Sequence, residues 1–563
     1  MNLSPFHQEL FSLLEKNAKT HAEDSEFQKF HHLLKEKNLN EIVDNYQHIW
    51  NEYSSQQIER EWMSAFSEKE FIDLGLAPYF PKIYRALPRL YHRDDPSRYR
   101  IKKNFTRLSD LKRLSVDRAI FSLYEGKLET SRAKVGIVTH VLSDGLGDWI
   151  AAVEAASILA KKFPSLEIHL FALSDRELPK EDFPFQVHLF SKEDPPMLLN
   201  EMDFLLQIPT LFPDLIALRP KVEKIGEYGF LESDWFHPKS GNRSMGLHVL
   251  EKGIFTKKIG PASFAEIEQK RLLTILFGIE TPGPIEIEAY RATHQFHFAY
   301  LATPIGGMVY LVSLLKMREW DEKDIDLCSP SLDWLIDADF SHLNAFGVKE
   351  IQIYFQQSVH RMAISEKGKT IRIICPGPIT SADMKRILFL SEEWVAVRGN
   401  QSLSEAISTK KAFFYDGKEH SRYLVKDLIA LAENRLKGHR GALHAFRMMG
   451  QAFIWNLPDD ESEWVEESFF QKEDKLPWLT IANELGFSLQ DGDTIVGFKK
   501  LSTHILEEHS FNDFLCHLVE RELVHQTNPQ TAQVEEELMS LYTTGEIPFS
   551  TLVKNLRTCI VQK

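Results

Sequence analysis

Val395-Ala396-Val397-Arg398-Gly399-Asn400-Gln401-Ser402-Leu403-Ser404-Glu405-Ala406-Ile407 is the stretch on which the fold turns. It predicts the end of a buried strand, a glycine turn, and the first turns of a helix. The free N–H groups of such a helix start and the positive end of its dipole face the same point, a ready site for a phosphate or diphosphate. A second apolar run, Ala412-Phe413-Phe414-Tyr415, follows and ends at Asp416-Gly417.

The same grammar occurs earlier. Val135-Gly136-Ile137-Val138-Thr139 reads as a short buried strand, followed by the turn His140-Val141-Leu142-Ser143-Asp144-Gly145-Leu146-Gly147-Asp148. A helix is predicted from Trp149 to about Lys162, with Trp149, Val153, Ala156, Leu159 and Ala160 on one face. Further strands are expected at Leu166–Ala172, Gln186–Phe190, Phe204–Ile208 and Val222–Ile225. Thr281-Pro282-Gly283-Pro284 then punctuates the chain. A second series follows, with strands at Phe296–Leu301, Ile351–Phe355, Thr370–Ile374, Trp394–Val397 and Ala412–Tyr415. Strands alternating with helical segments imply mainly parallel sheets covered by helices.

Residues 1–128 show apolar residues at helical spacing, and residues from about 422 onward are expected to be helical. The reading is an α/β fold of two Rossmann-like domains, with an added helical N-terminal domain and a helical C-terminal segment. The expected boundaries are 1–128, 129–285, 286–440 and 441–563. Ligands of open α/β sheets lie outside the carboxyl ends of the strands, which puts a ligand between the two halves.

Composition bounds the function classes. The chain has 563 residues, 43% hydrophobic and 26% charged, with a net charge of −15. The acidic balance argues against a general nucleic-acid binder. No run of about 18 apolar residues predicts a membrane span, and the first residues lack a signal-peptide pattern. Cys328, Cys375, Cys516 and Cys559 fit no ligand spacing and read as reduced thiols, which points to a cytoplasmic protein; the added helical domain and the aromatic- and histidine-rich sequence would also suit a bacterial effector exported without a cleaved signal. One basic stretch, Lys82 to Arg113, carries eleven Lys and Arg side chains interleaved with tyrosines. It is either a docking surface for an acidic partner or a solvated helical face.

The layout resembles the two-Rossmann fold of glycosyltransferases often called GT-B. Ser402-Leu403-Ser404-Glu405-Ala406, with Lys410-Lys411-Ala412-Phe413-Phe414 after it, is similar to the donor-site helix of the enzymes that add N-acetylglucosamine to lipid-linked peptidoglycan precursors. That resemblance implies a nucleotide-sugar cosubstrate such as a UDP-sugar, no other cofactor and no metal. It puts Glu405 on the ribose and the turn around Ser402 on the diphosphate. Val397-Arg398-Gly399-Asn400-Gln401-Ser402 is also similar to a motif of the protein-arginine rhamnosyltransferases that modify elongation factor P, which have acidic residues where Asn400 and Gln401 stand. That family has an aspartate in the glycine turn after its first strand. Asp144-Gly145-Leu146-Gly147-Asp148 resembles this turn, which makes Asp144 the candidate base and Asp148 the second. The acceptor stays open, a protein side chain being one option.

Each residue also has a local reading. Ser402 and Glu405 fit a Ser-x-x-Glu capping box. Asp148 stands where an N-cap belongs, and Asp144 suits a turn. His140 is a further candidate base, its ordinary pKa lying near neutrality. Arg398 suits either a diphosphate or a loop ion pair. Tyr300, Thr303, Tyr415 and Asp416 are expected to line the same crevice. Asp324-Ile325-Asp326 and Asp337-Ala338-Asp339 match the short Asp-x-Asp of metal-dependent transferases, but both fall in what reads as helix or linker. The alternatives to a transferase are a sugar-nucleotide epimerase and a non-catalytic interaction protein of the same fold.

Overall fold

The computed structural model describes residues 108–561 except 129–131, 142–145, 175–177, 179–181, 192–196, 210–221, 227–242, 248–250, 258, 337, 419–420, 457–474 and 545. The expected helical domain is therefore represented only by its last helix, α1 (Leu108–Phe121). The basic stretch lies outside the described residues up to residue 107. Within α1, Arg113 is tied to Glu536.

The first sheet comprises β1 (Lys134–His140), β2 (Glu167–Leu173), β3 (Gln186–Phe190), β4 (Phe204–Gln207), β5 (Val222–Gly226) and the short β6 (Arg243–Ser244). All pairings are parallel, in the order β3-β2-β1-β4-β5-β6. The five central residues of β1 are all buried, as a strand covered on both faces requires. Helix α2 (Gly147–Lys162) joins β1 to β2, and its buried Ala151, Ala152, Ala155, Ala156 and Leu159 let it sit close to the sheet.

Helices α3 (Lys270–Phe277) and α4 (Pro284–Thr293) lead to the second half. Its strands are β7 (His294–Phe298), β8 (Asp324–Cys328), β9 (Val348–Phe355), β10 (Ser358–Ala363), β11 (Lys369–Cys375), β12 (Trp394–Val397) and β13 (Ala412–Tyr415). They form a sheet in the order β10-β9-β11-β8-β7 and a parallel pair β12-β13. A parallel bridge between Ala299 and Ala396 sets β12 beside the end of β7 and continues the sheet. Only β10 runs antiparallel. Helices α5 (Pro304–Met317), α6 (Ser381–Leu390) and α7 (Asn400–Thr409) connect strands of this half.

From α8 (Arg422–Arg435) onward the described residues are helical, through α9 (Arg440–Ile454), α10 (Trp478–Gln490), α11 (Gly492–Glu508), α12 (Phe511–Thr527), α13 (Pro529–Thr544) and α14 (Phe549–Val561). Helices α10 and α11 stay with the second half, on α5 and α7 respectively. Helix α12 returns to the first half and packs on α1, α2 and β4. The chain thus passes between the halves twice, and the two crossings are joined. The Ile254 N–H donates to the His509 carbonyl at 2.9 Å, and the Phe511 N–H donates to the Ile254 carbonyl at 2.8 Å. The fold class is as expected: two Rossmann-like α/β units with a helical C-terminal segment. No helix among the described residues is long and apolar enough to cross a membrane.

One segment differs from its sequence reading. Asp324–Cys328 is a central, buried strand and not a helix or linker. Asp326 is fully buried there because Arg372 of β11 brackets it at 2.5 and 2.6 Å and the Tyr290 hydroxyl donates to it at 2.7 Å. A charge at that depth is tolerated only when so paired. Asp337 lies outside the described residues, and Asp339 is an exposed turn carboxylate that accepts the Ser341 N–H at 2.9 Å.

Burial also fixes a pH response. His297 on β7 is fully buried with Nδ1 3.1 Å from the Trp394 carbonyl oxygen. Burial pushes His297 and His509 each down to about 3. Between that value and the ordinary histidine value near 6.5, the unfolded chain binds these protons and the folded chain does not. Stability therefore falls as pH drops below about 6.5, by about 1.4 kcal/mol per pH unit for each histidine. The urea midpoint measured from pH 7 to pH 4 is expected to fall accordingly. His297→Gln should flatten the slope by one proton, and an unchanged slope would contradict the assignment.

Candidate functional site at the two switch points

In an open α/β sheet the ligand crevice lies where strand order reverses. In the first sheet that point is the end of β1, flanked by β2 on one side and β4 on the other. In the second it lies between the ends of β7, which leads to β8, and of β12 on its other side. The second glycine turn, and His140 and Gly147 at the two ends of the first, sit at these positions. The second turn follows β12 and opens α7; the first follows β1 and opens α2. Helices α2 and α7 pack against each other.

At the second switch point, Arg398 leaves the end of β12 with its guanidinium 4.9 Å from the centre of the Tyr300 ring. Its Nη1 donates to Asp333 Oδ2 at 3.2 Å. Tyr300 is fixed beside β12 by its N–H, which donates to the Ala396 carbonyl at 2.9 Å. Helix α7 begins at Asn400 with Gly399 as N-cap. The Gly399 N–H donates to Ser402 Oγ at 3.1 Å, and the Ser402 hydroxyl donates back to the Gly399 carbonyl at 2.9 Å. The capping partner of Ser402 is therefore Gly399 and not Glu405, which places the helix start three residues before the capping-box reading. The Nε2 of Gln401, in the first turn, is buried without a hydrogen-bond partner. Such an orphan donor has lost its water and gained nothing in exchange.

Glu405 lies deeper in α7 and is 4% exposed. Lys257 Nζ donates to its Oε1 at 2.7 Å and lies 3.6 Å from Glu154 of α2. The Lys257 N–H also donates to Ser408 Oγ of α7 at 3.0 Å. One buried ammonium therefore holds a carboxylate from each half. No local pattern marks Lys257, because its partner is 148 residues away.

Three other residues expected in the crevice form its frame. Asp416, 1% exposed, accepts the N–H groups of Ala302 at 2.6 Å and Thr303 at 2.9 Å, the Thr303 hydroxyl at 2.9 Å and Asn456 Nδ2 at 3.0 Å. Burial pushes its carboxyl above the usual range, and these four donors offset only part of that rise. Thr303 in turn caps α5, its Oγ1 accepting the Gly306 N–H at 3.0 Å. A Cβ at Gly306 would lie 2.2 Å from Asp416 Oδ1, so this position has to be glycine. The Tyr415 hydroxyl lies 3.1 Å from Asn400 Oδ1 and 3.0 Å from Ser421 Oγ, steadying the first residue of α7.

At the first switch point, His140 ends β1 and is half-buried. Asp144 and Gly145 lie outside the described residues. Gly147 is the first residue of α2, and Leu146, not Asp148, is its N-cap. Asp148 falls in the first turn, where its charge complements the helix dipole. The sequence reading missed Asp333 and Lys257. Asp333 follows β8, the strand hidden by its acidic residues. Recognising that strand would have placed Asp333 at a carboxyl end. Among the described residues, no group of three or more His, Cys, Asp or Glu side chains could hold a metal ion.

No family model matches the chain, and no curated protein does. Similar solved structures include a mutant O-GlcNAc transferase of Thermobaculum terrenum, 10% identical over 93% of this chain and 94% of that one, with a TM-score of 0.31. The N-terminal domain of Candida albicans trehalose-6-phosphate phosphatase is 10% identical over 71% of this chain and 98% of that one, with a TM-score of 0.36. MurG of Acinetobacter baumannii is 9% identical over 63% of this chain and 94% of that one, with a TM-score of 0.28.

Proposed function

We propose that the chain is a glycosyltransferase of the two-Rossmann kind, moving a sugar from a nucleoside-diphosphate-sugar to an acceptor bound on the first half. The observation that carries this reading is the coincidence of the second glycine turn, and of the two ends of the first, with the topological switch points, on helices α2 and α7 that touch. The diphosphate would lie at the start of α7, under the N–H groups of its first turn and against Arg398. Charge that builds on the leaving nucleoside diphosphate as the sugar bond breaks would be met by these fixed donors. The base belongs to the β1 side, with Asp144 and His140 as its candidates. Glu405 would meet a ribose with the carboxylate oxygen that Lys257 does not take. Asp416, Thr303 and Tyr415 hold the frame.

The test is a thermal-shift screen with UDP, GDP, dTDP and CMP derivatives, followed by product analysis. A ligand at one hundred times its dissociation constant adds about 2.7 kcal/mol of stability. One nucleotide class is expected to raise the melting temperature in the wild type, and much less in Arg398→Met. A transferred sugar then separates transfer from epimerisation. No shift with any nucleotide would overturn the reading.

A further inference from the structure

Arg398 is not idle in the absence of ligand. Its guanidinium lies over the Tyr300 ring and donates to Asp333, with only 18% of its side chain exposed. Asp333, by contrast, is 63% exposed at its side chain. Its place is nonetheless fixed. The next residue, Trp334, is fully buried, and its Nε1 donates to Ser329 Oγ at 3.1 Å. The Ser329 hydroxyl lies 2.7 Å from the Ala299 carbonyl oxygen, at the end of β7. The loop after β8 is thereby fastened to the switch point, and Asp333 is carried to the guanidinium. Lys418, in the loop after β13, also bears on this carboxylate.

We propose that Asp333 is a resident counter-anion, its carboxylate holding the Arg398 guanidinium that a diphosphate would take, so that an entering donor must displace it. The proposal rests on the reading of this crevice as a diphosphate site and adds how its affinity is set. The pair is exposed enough to be weak, which makes it displaceable. A singly charged anion gains little by replacing one carboxylate with another. A diphosphate brings more charge and several acceptors to the same fork. Asp333 would then select against weak anions while costing the donor only part of its affinity.

The test measures binding of inorganic pyrophosphate and of the nucleoside diphosphates to the full chain by titration calorimetry. Asp333→Asn is expected to bind pyrophosphate about two- to fivefold more tightly than the wild type. Glu366→Gln, an equal charge change on an exposed loop of the same half, is expected to leave it unchanged. The gain should vanish when Asp333→Asn is combined with Arg398→Gln. An Asp333→Asn chain that binds pyrophosphate no better than wild type overturns the proposal. So does a gain matched by Glu366→Gln, a gain that survives loss of Arg398, or pyrophosphate binding to neither chain. If pyrophosphate behaves as expected and no nucleoside diphosphate binds, the counter-anion stands and the nucleotide-sugar reading falls.

Discussion

Lys257→Met is expected to destabilise the folded chain by about 3–5 kcal/mol, because it strands a buried carboxylate. Lys257 is 3% exposed at its side chain and Glu405 6%, with Glu154 22% exposed on the other side of the ammonium. In wild type the cost of burying these charges is offset by their mutual attraction and by the 2.7 Å hydrogen bond. Without the ammonium, Glu405 keeps the cost and loses the partner. Replacing both members by apolar groups removes the cost as well, so Lys257→Met combined with Glu405→Met should recover most of the loss. Urea unfolding of the two single variants and the double variant measures this directly. A loss below about 1 kcal/mol in Lys257→Met would mean that water reaches the site and the pair is not buried in solution.

The second large effect is expected at Asp416. Asp416→Ala removes the acceptor for four donors, two of them backbone N–H groups at the entry to α5. Each buried donor left unpaired costs about 1–3 kcal/mol, and water entering the space left by the side chain recovers part of that, so a net loss of about 3–5 kcal/mol is expected. Asp416→Asn should lose less, since its carbonyl oxygen can keep both backbone N–H groups while its amide hydrogens face the Thr303 hydroxyl and the Asn456 side chain, which can accept. Gly306→Ala attacks the same contact from the other side, through a Cβ only 2.2 Å from the Asp416 oxygen. Because β13, α5 and the Arg398 turn share this frame, ligand binding should weaken along with the denaturation midpoint. A variant that keeps its midpoint but loses binding would instead place Asp416 in direct contact with ligand.

Much of the fold could be read from local pattern. Gln186–Phe190, Trp394–Val397 and Ala412–Tyr415 are strands with the bounds that their apolar runs indicate. What the sequence concealed depends on distant partners. Asp324 and Asp326 look like surface acids until Arg372, 46 residues later, closes on Asp326. Ser402 and Glu405 satisfy a capping pattern, yet Gly399 takes the first and Lys257 the second. Tyr415 and Asp416 have the chemistry of ligand contacts, and the fold uses them as struts. Local spacing points to where a candidate site lies. Which polar groups remain for a ligand is settled by side chains that arrive from elsewhere in the chain.

The joined crossings at Ile254 and Ser510 bear on how such a chain is made. The first sheet is synthesised early, but α12 and the residues that stitch Thr256 to Asn512 emerge 256 residues later. Gln526 reaches back further still, to the Asp203 carbonyl, across 323 residues. Until then the nascent first half exposes the faces of α1, α2 and β4 that α12 will cover. Contacts so far apart in sequence form slowly and leave sticky intermediates. The half made first is therefore the last to be finished, and a ribosome that stops short of α12 would release a chain damaged at its beginning.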